Sequence, residues 1–214
     1  MKIYTLHPEL APFVGKHYAK APLKVLFQGE SHYLPADYDK VGQEWYERST
    51  MSYGFTKEAL AWLNTAAIIR HDVIESSYKN PSHAIYRHIG GVYGAVFDKG
   101  DYPQALEYVA FSNYFLRPAE VCGESIIVAG EAEELRSFEQ LRVLESQYRP
   151  DLIVFVSKKA HESFLRTAQK QQASSLLSKA RSIPHPNTSW WNRPISQYEG
   201  RTGKEQLEQI LREA

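Results

Sequence analysis

The 214-residue sequence predicts an α/β fold, a three-layer α/β/α sandwich around a central, mostly parallel, four-stranded sheet. Two observations predict it. Residues 24–28 (KVLFQ) and 151–156 (DLIVFV) are short apolar runs of strand length, as expected for strands buried on both faces. Helical patterns alternate with such runs along the chain, which is what parallel strands with crossover connections require. With no low-complexity break, residues 1–214 read as a single domain able to bury one core.

The elements follow in chain order. The run 24–28 ends at Gly29 and reads as a buried strand entering a turn. Residues 56–74 carry Ala59, Leu60, Leu63, Ala66, Ala67 and Ile68 at helical spacing, with Thr56 as N-cap. Residues 81–97 read as a second helix, broken or kinked at Gly90 and Gly91. Together these make a helical insertion at about 45–100, either a simple packing decoration or a lid or partner surface. Residues 106–113 read as the second strand, ending at Asn113 ahead of a loop through Arg117 and Pro118. The charged helix 131–148 places Leu135, Phe138, Leu141 and Leu144 on one side. The strand 151–156 is followed at once by a helix over 158–169. Residues 181–183 read as a last short strand, and 202–212 as a final helix packed on the outside.

Composition excludes several classes. The 25 Lys+Arg balance 25 Asp+Glu, against the basic excess of proteins that coat nucleic acid non-specifically. Neutrality hides polarity, because residues 157–214 carry ten Lys+Arg against five acids. The single Cys122 allows no internal disulfide, four-cysteine zinc site or cysteine-held iron–sulfur cluster, and points to a reducing compartment. No run approaches the roughly 20 apolar residues of a membrane span, and His7, Pro8 and Glu9 interrupt any leader-like segment. A cytoplasmic protein with no membrane partner and no cofactor is expected, a monomer by preference.

Ligands of open α/β sheets bind beyond the carboxyl ends of the strands. Three such ends carry unusual polar residues: Gly29-Glu30-Ser31-His32-Tyr33, Ser112-Asn113-Tyr114 and His185-Pro186-Asn187-Thr188-Ser189. If the strands are parallel neighbours, these loops share one edge. Glu30 is then a functional carboxylate or a turn residue bonding local amides, and His185 a functional or a structural imidazole. Asn113 reads a ligand or caps the next segment, and His32 also fits an ordinary surface turn. No spacing among Glu30, His32 and His185 matches a zinc signature, so no metal is expected.

Taken in order, these segments resemble the uracil-DNA glycosylase superfamily. Gly29-Glu30-Ser31-His32-Tyr33 is similar to its water-activating motif, Gly-Gln-Asp-Pro-Tyr-His in one branch and Gly-Glu-Ala-Pro-Gly in others. The segment 111–118 (FSNYFLRP) resembles the strand whose terminal Asn reads the pyrimidine, followed in one branch by Arg-Pro. The segment 150–156 resembles the next core strand, and His185-Pro186-Asn187 the His-Pro-Ser loop that closes the site.

The resemblance implies catalytic roles for Glu30 and His185, and base binding by Gly29, Ser31, Tyr33 and Asn113. It also implies DNA contact or wedging by Arg117, Asn187, Ser189, Trp190 and Arg193, and uracil-containing or damaged DNA as partner. Trp45 and Tyr46 fall roughly where a family aromatic stacks on the base, or else simply pack. Departures are visible. Ser31 replaces the acid of the first branch, His32 replaces the motif proline, and one cysteine cannot hold the iron–sulfur cluster common in the second. The implied activity is cleavage of the N-glycosidic bond of uracil or a related base in DNA. The open alternatives are a non-catalytic nucleic-acid or nucleotide-binding module of the same fold and a small-nucleoside hydrolase.

Overall fold

Alternation along the central strands divides their side chains between two apolar layers, and this sets the architecture. The computed structural model describes residues 2–38, 41–76 and 80–214, so residues 77–79 of the expected insertion lie outside the described residues. The sheet comprises β1 (Phe13–Val14), β2 (Val25–Gly29), β3 (Ala110–Asn113), β4 (Leu152–Phe155) and β5 (Ala180–Ser182), in the order β1-β3-β2-β4-β5. Strands β2 to β5 are parallel, and β1 adds an antiparallel edge on β3. The sheet therefore has one strand more than the four expected. At two residues, β1 is too short to leave a periodic signal in the sequence.

Val25 and Phe27 of β2, Phe111 of β3 and Val154 of β4 point into one layer, whereas Leu26, Ala110, Ile153 and Phe155 point into the other. The first layer is completed by α4 (Ala84–Phe97), α5 (Tyr102–Leu106) and α9 (Gly203–Glu213), and the second by α6 (Glu131–Tyr148), α7 (Lys158–Lys170) and α8 (Ser174–Lys179). These helices make the predicted α/β/α layering. The helix α1 (Lys2–Leu6) leads into a satellite core of Leu10, Leu34, Val41, Trp45, Ala59, Leu63 and Leu116. Among the described residues no helix is long and apolar enough to cross a membrane.

The helix expected over 56–74 is interrupted. Thr56 caps α2 (Lys57–Leu63) through the Ala59 amide, and Asn64 then leaves helical geometry and caps a second start, α3 (Thr65–Ala67). The chain continues as π-helical turns over Ile68–Glu75. The expected break at Gly90 and Gly91 is absent, because α4 runs unbroken through both. Gly90 instead permits close packing: a Cβ there would lie 2.9 Å from the Tyr102 carbonyl oxygen of the neighbouring α5. The strand expected over 106–113 is shortened to Ala110–Asn113, because the reciprocal capping box of Asp101 and Gln104, with Pro103 in the first turn, starts a helix that runs through Leu106. Final helix α9 is less peripheral than expected, since Leu207, Ile210 and Leu211 are buried in the first layer.

Phe155 is fully buried, with ring contacts to Tyr114 at 5.7 Å and Phe164 at 4.9 Å. Replacing it by Ala leaves a cavity between β4 and α7, and Phe155→Ala is expected to cost about 3–5 kcal/mol of unfolding free energy in a urea titration.

Candidate active site

The register of the sheet lines up the ends of its strands. Gly29 pairs with Asn113, Gln28 with Phe155, and Phe155 with Ser182. Beneath this edge a buried Gln28 Nε2 donates to Ser112 Oγ at 2.7 Å, joining β2 to β3. Past the strand ends the first two loops stay paired. The Gly29 and Glu30 carbonyls accept from the Tyr114 and Phe115 amides at 3.1 and 2.8 Å, and the His32 carbonyl from the Ala119 amide at 2.9 Å. The loops after β2 and β3 are thus one ribbon that continues the sheet.

Glu30 crosses from this ribbon toward β4. Its Oε1 accepts from Ser125 Oγ at 2.5 Å and the Ile126 amide at 3.1 Å, and its Oε2 accepts from Ser157 Oγ at 2.6 Å. Ser157 directly follows β4 and also caps α7 through the Ala160 amide at 3.3 Å, so one hydroxyl ties the carboxylate to the helix start. Lys159 Nζ donates to the Ile126 carbonyl at 2.7 Å, which braces the same segment. Ser125 and Ser157 carry no signal in the sequence, where isolated serines form no pattern.

Asn113 lies against Gly29. A Cβ built on Gly29 would meet Asn113 Oδ1 at 2.2 Å and Phe111 Cζ at 3.0 Å, so the carboxamide fills the space that any side chain there would take. Its Nδ2 donates to the buried Thr65 Oγ1 at 3.3 Å. Tyr86, half-buried, packs edge-on against Phe111 at 5.1 Å. Thr65 and Tyr86 come from the expected helical insertion, so part of that segment packs against the end of β3.

His185 follows β5 at the same carboxyl edge, on an exposed stretch of the loop. Desolvation holds its ring below the ordinary histidine value, opposed by the negative charge of Glu30, which places the two groups within electrostatic reach. The loop is fixed locally by the Asn187 amide donating to His185 Nδ1 at 3.2 Å and the Thr188 amide to the His185 carbonyl at 3.0 Å. From α4, His88 Nδ1 donates to the Pro186 carbonyl at 2.7 Å while its ring stacks on Trp191 at 5.3 Å. Burial, then the Glu30 charge and Cys122, push the half-buried Tyr33 phenol upward. The structure therefore brings Gly29, Glu30, Asn113 and His185 to one sheet edge, with Tyr33 beside Glu30.

Ser31 is buried in the same ribbon, and its Oγ has no hydrogen-bond partner among the described residues. His32 corrects the surface-turn reading. It is 3% exposed, faces the Leu63 backbone too loosely for a proper hydrogen bond, and is held by desolvation at about 4. His32 thus points into the satellite core while Glu30 points toward β4. Among the described residues no group of three His, Cys, Asp or Glu side chains is placed to hold a metal ion.

Arg117 is a further correction. Rather than offering a phosphate contact, its guanidinium is 2% exposed and spends its donors inside the protein. Nε donates to Glu133 Oε1 at 2.8 Å, Nη1 to Glu120 Oε1 at 2.5 Å and the Val41 carbonyl at 3.1 Å, and Nη2 to the Ile127 carbonyl at 2.7 Å. Burial opposes its charge, but the bonds to Glu133 and Glu120 outweigh it and hold the guanidinium above its ordinary value. Trp45 is also removed from the crevice: it is fully buried, stacked on His7 at 3.8 Å, with Nε1 donating to the Leu116 carbonyl. Tyr46 donates to Glu133 Oε1 at 2.9 Å. Asn187, Ser189, Trp190 and Arg193 are exposed after His185, whereas Trp191 is a core residue.

Removing one partner of a buried ion pair strands the other. Arg117→Met is expected to lower unfolding free energy by about 3–5 kcal/mol in urea, with Glu133 left uncompensated. His32 makes stability depend on pH. Its folded value of about 4 lies below the ordinary 6.5, so only the unfolded chain takes up this proton between those limits. Stability therefore falls as pH drops through that window, by up to about 3 kcal/mol from this group. Denaturation curves of His32→Leu at pH 7 and pH 4 should show a correspondingly smaller loss than the wild type.

No protein-family description and no curated protein matches this chain, so the functional reading rests on the crevice and its chemistry.

Proposed function

We propose that the protein is a glycosylase-like hydrolase that cleaves the N-glycosidic bond of uracil or a related base in DNA, with the base flipped into the crevice. The reading is supported by Glu30, Asn113 and His185, from three distant segments, all lying at or just past strand ends on the carboxyl edge of one parallel sheet, with the charge of Glu30 acting on His185. Cleavage leaves negative charge on the departing base and positive charge on the sugar, so it needs a donor at the base and an anion at the sugar.

Glu30 is suited to the second task, its direction fixed by Ser125, Ser157 and the Ile126 amide. Its carboxylate steadies the cationic sugar or holds the attacking water. His185 is suited to the first. Because the Asn187 amide donates to Nδ1, a neutral ring carries its proton on Nε2, free to donate to a base oxygen. Desolvation favours that neutral form. Asn113 offers a carboxamide to the base edge, and Tyr33 stands beside Glu30, where in the resembled family a tyrosine blocks the thymine methyl. The exposed Asn187, Ser189, Trp190 and Arg193 are the surface proposed to meet DNA, with Trp190, 52% exposed, as the apolar wedge.

A binding module of the same fold is the second reading. It is favoured by Ser31 at the motif-acid position and by the three donors that already engage Glu30.

Uracil-containing single- and double-stranded oligonucleotides, incubated with the protein and then cleaved by alkali at abasic sites, separate the two. Scission that requires uracil and falls at least about 10²-fold in both Glu30→Gln and His185→Ala is expected for the enzyme. Since His185 is shifted downward and acts neutral, excision should persist below pH 6.5 and decline only under more acid conditions. Uracil-dependent binding without scission would identify the module, and inertness toward both DNA forms would sink the DNA reading.

A further inference from the structure

Asn113 can recognise a base only if its carboxamide has one orientation, since exchanging Oδ1 and Nδ2 reverses the pattern it presents. A freely turning carboxamide would pair equally well with a base edge of either polarity. The side chain at the end of β3 has two neighbours of different kinds. On one side the Nδ2 donates to Thr65 Oγ1 at 3.3 Å, and on the other the Oδ1 occupies the space above Gly29, which has no side chain to repel it.

We propose that Thr65 is a positioning residue that locks the Asn113 carboxamide with Oδ1 as the acceptor offered to the ligand. This rests on the glycosylase reading above and adds the residue that sets the polarity of base recognition. In that orientation Asn113 presents an acceptor and, from the second Nδ2 hydrogen, a donor. The complement is a base edge bearing a ring N–H next to a carbonyl, as in uracil. Cytosine presents the reverse at those two atoms, a ring acceptor next to an amino donor, and is refused.

A hydroxyl is two-faced, so a threonine alone would not fix the direction. Thr65 also interacts with the half-buried Tyr86 phenol. A Thr65 hydroxyl that donates to Tyr86 keeps its oxygen lone pairs for Asn113. In the proposed arrangement the donors run one way, from Asn113 through Thr65 to Tyr86, and Tyr86→Phe tests the second link. Thr65 is held in place by its own segment: it is the first residue of α3, 6% exposed, in a helix start capped by Asn64 through the Ala67 amide at 2.9 Å. The interruption of the helix at Asn64 thus delivers a hydroxyl to the end of β3.

Nitrogen-15 spectra of the Asn113 side-chain amide, identified by its loss in Asn113→Asp, test the lock directly, together with excision or binding of uracil against cytosine oligonucleotides. The wild type is expected to show slow hydrogen exchange at the Nδ2 proton bound to Thr65. Thr65→Val, of equal size, should abolish that protection and reduce uracil over cytosine preference by roughly tenfold, the worth of one hydrogen bond. Thr65→Ser should restore both, and Tyr86→Phe should weaken the preference with the fold intact. Unchanged amide exchange and unchanged base preference in Thr65→Val would overturn the proposal. Amide exchange that responds to Thr65→Val in a protein inert toward uracil would leave the lock standing and remove the glycosylase reading, and failure of Thr65→Ser to restore the amide signal would reduce Thr65 to a packing residue.

Discussion

Parallel pairing of β2 with β3 on one flank and β4 on the other is the constraint on which the crevice depends. A central parallel strand donates and accepts along both edges, so its register fixes the height at which each neighbour ends. Here Gly29 is level with Asn113, and β4 reaches its last residue one step lower, so that Ser157 rises into reach of Glu30. A slip of one residue would turn Phe27 and Phe111 out of one layer and Leu26 and Phe155 out of the other. Burial on both faces therefore defends the same alignment that assembles the polar groups.

Each polar group is held by a brace that begins in a buried part of the molecule. The Arg117 guanidinium, paired with Glu133 and Glu120, grips the Ile127 carbonyl, while Glu120 accepts from the Ile127 amide at 2.8 Å. That fastens the stretch whose Ser125 and Ile126 reach Glu30. On the opposite side, His88 of α4 grips the Pro186 carbonyl beside His185. Loops that would otherwise carry the mobility of surface segments are thereby tied to the core.

The electrostatics of the crevice follow from the same enclosure. Desolvation lowers His185 and raises Tyr33, so both favour their neutral forms beside the Glu30 carboxylate. Neutral donors around one anion suit a site in which a leaving base accumulates negative charge while a sugar accumulates positive charge. Burial in the satellite core separately keeps His32 uncharged.

The sequence by itself determined the layering and the polar ends of the strands. Runs such as 152–156 are apolar at every position, and that property needs no knowledge of what surrounds them. Gly29, Glu30, Asn113 and His185 were legible because each interrupts such a pattern where a strand must end. Only the tertiary structure decided what surrounds them. Arg117 reads as a phosphate ligand until Glu133, sixteen residues on, is brought under it, and Trp45 reads as a stacking platform until His7 covers it. Thr65, Ser125 and Ser157 carry no local pattern because a hydroxyl's role is set by whichever partner lies within 3 Å or so, a through-space distance that chain spacing does not encode. The unbroken α4 has a similar cause, since Gly90 answers to the close approach of α5 and not to its own helix.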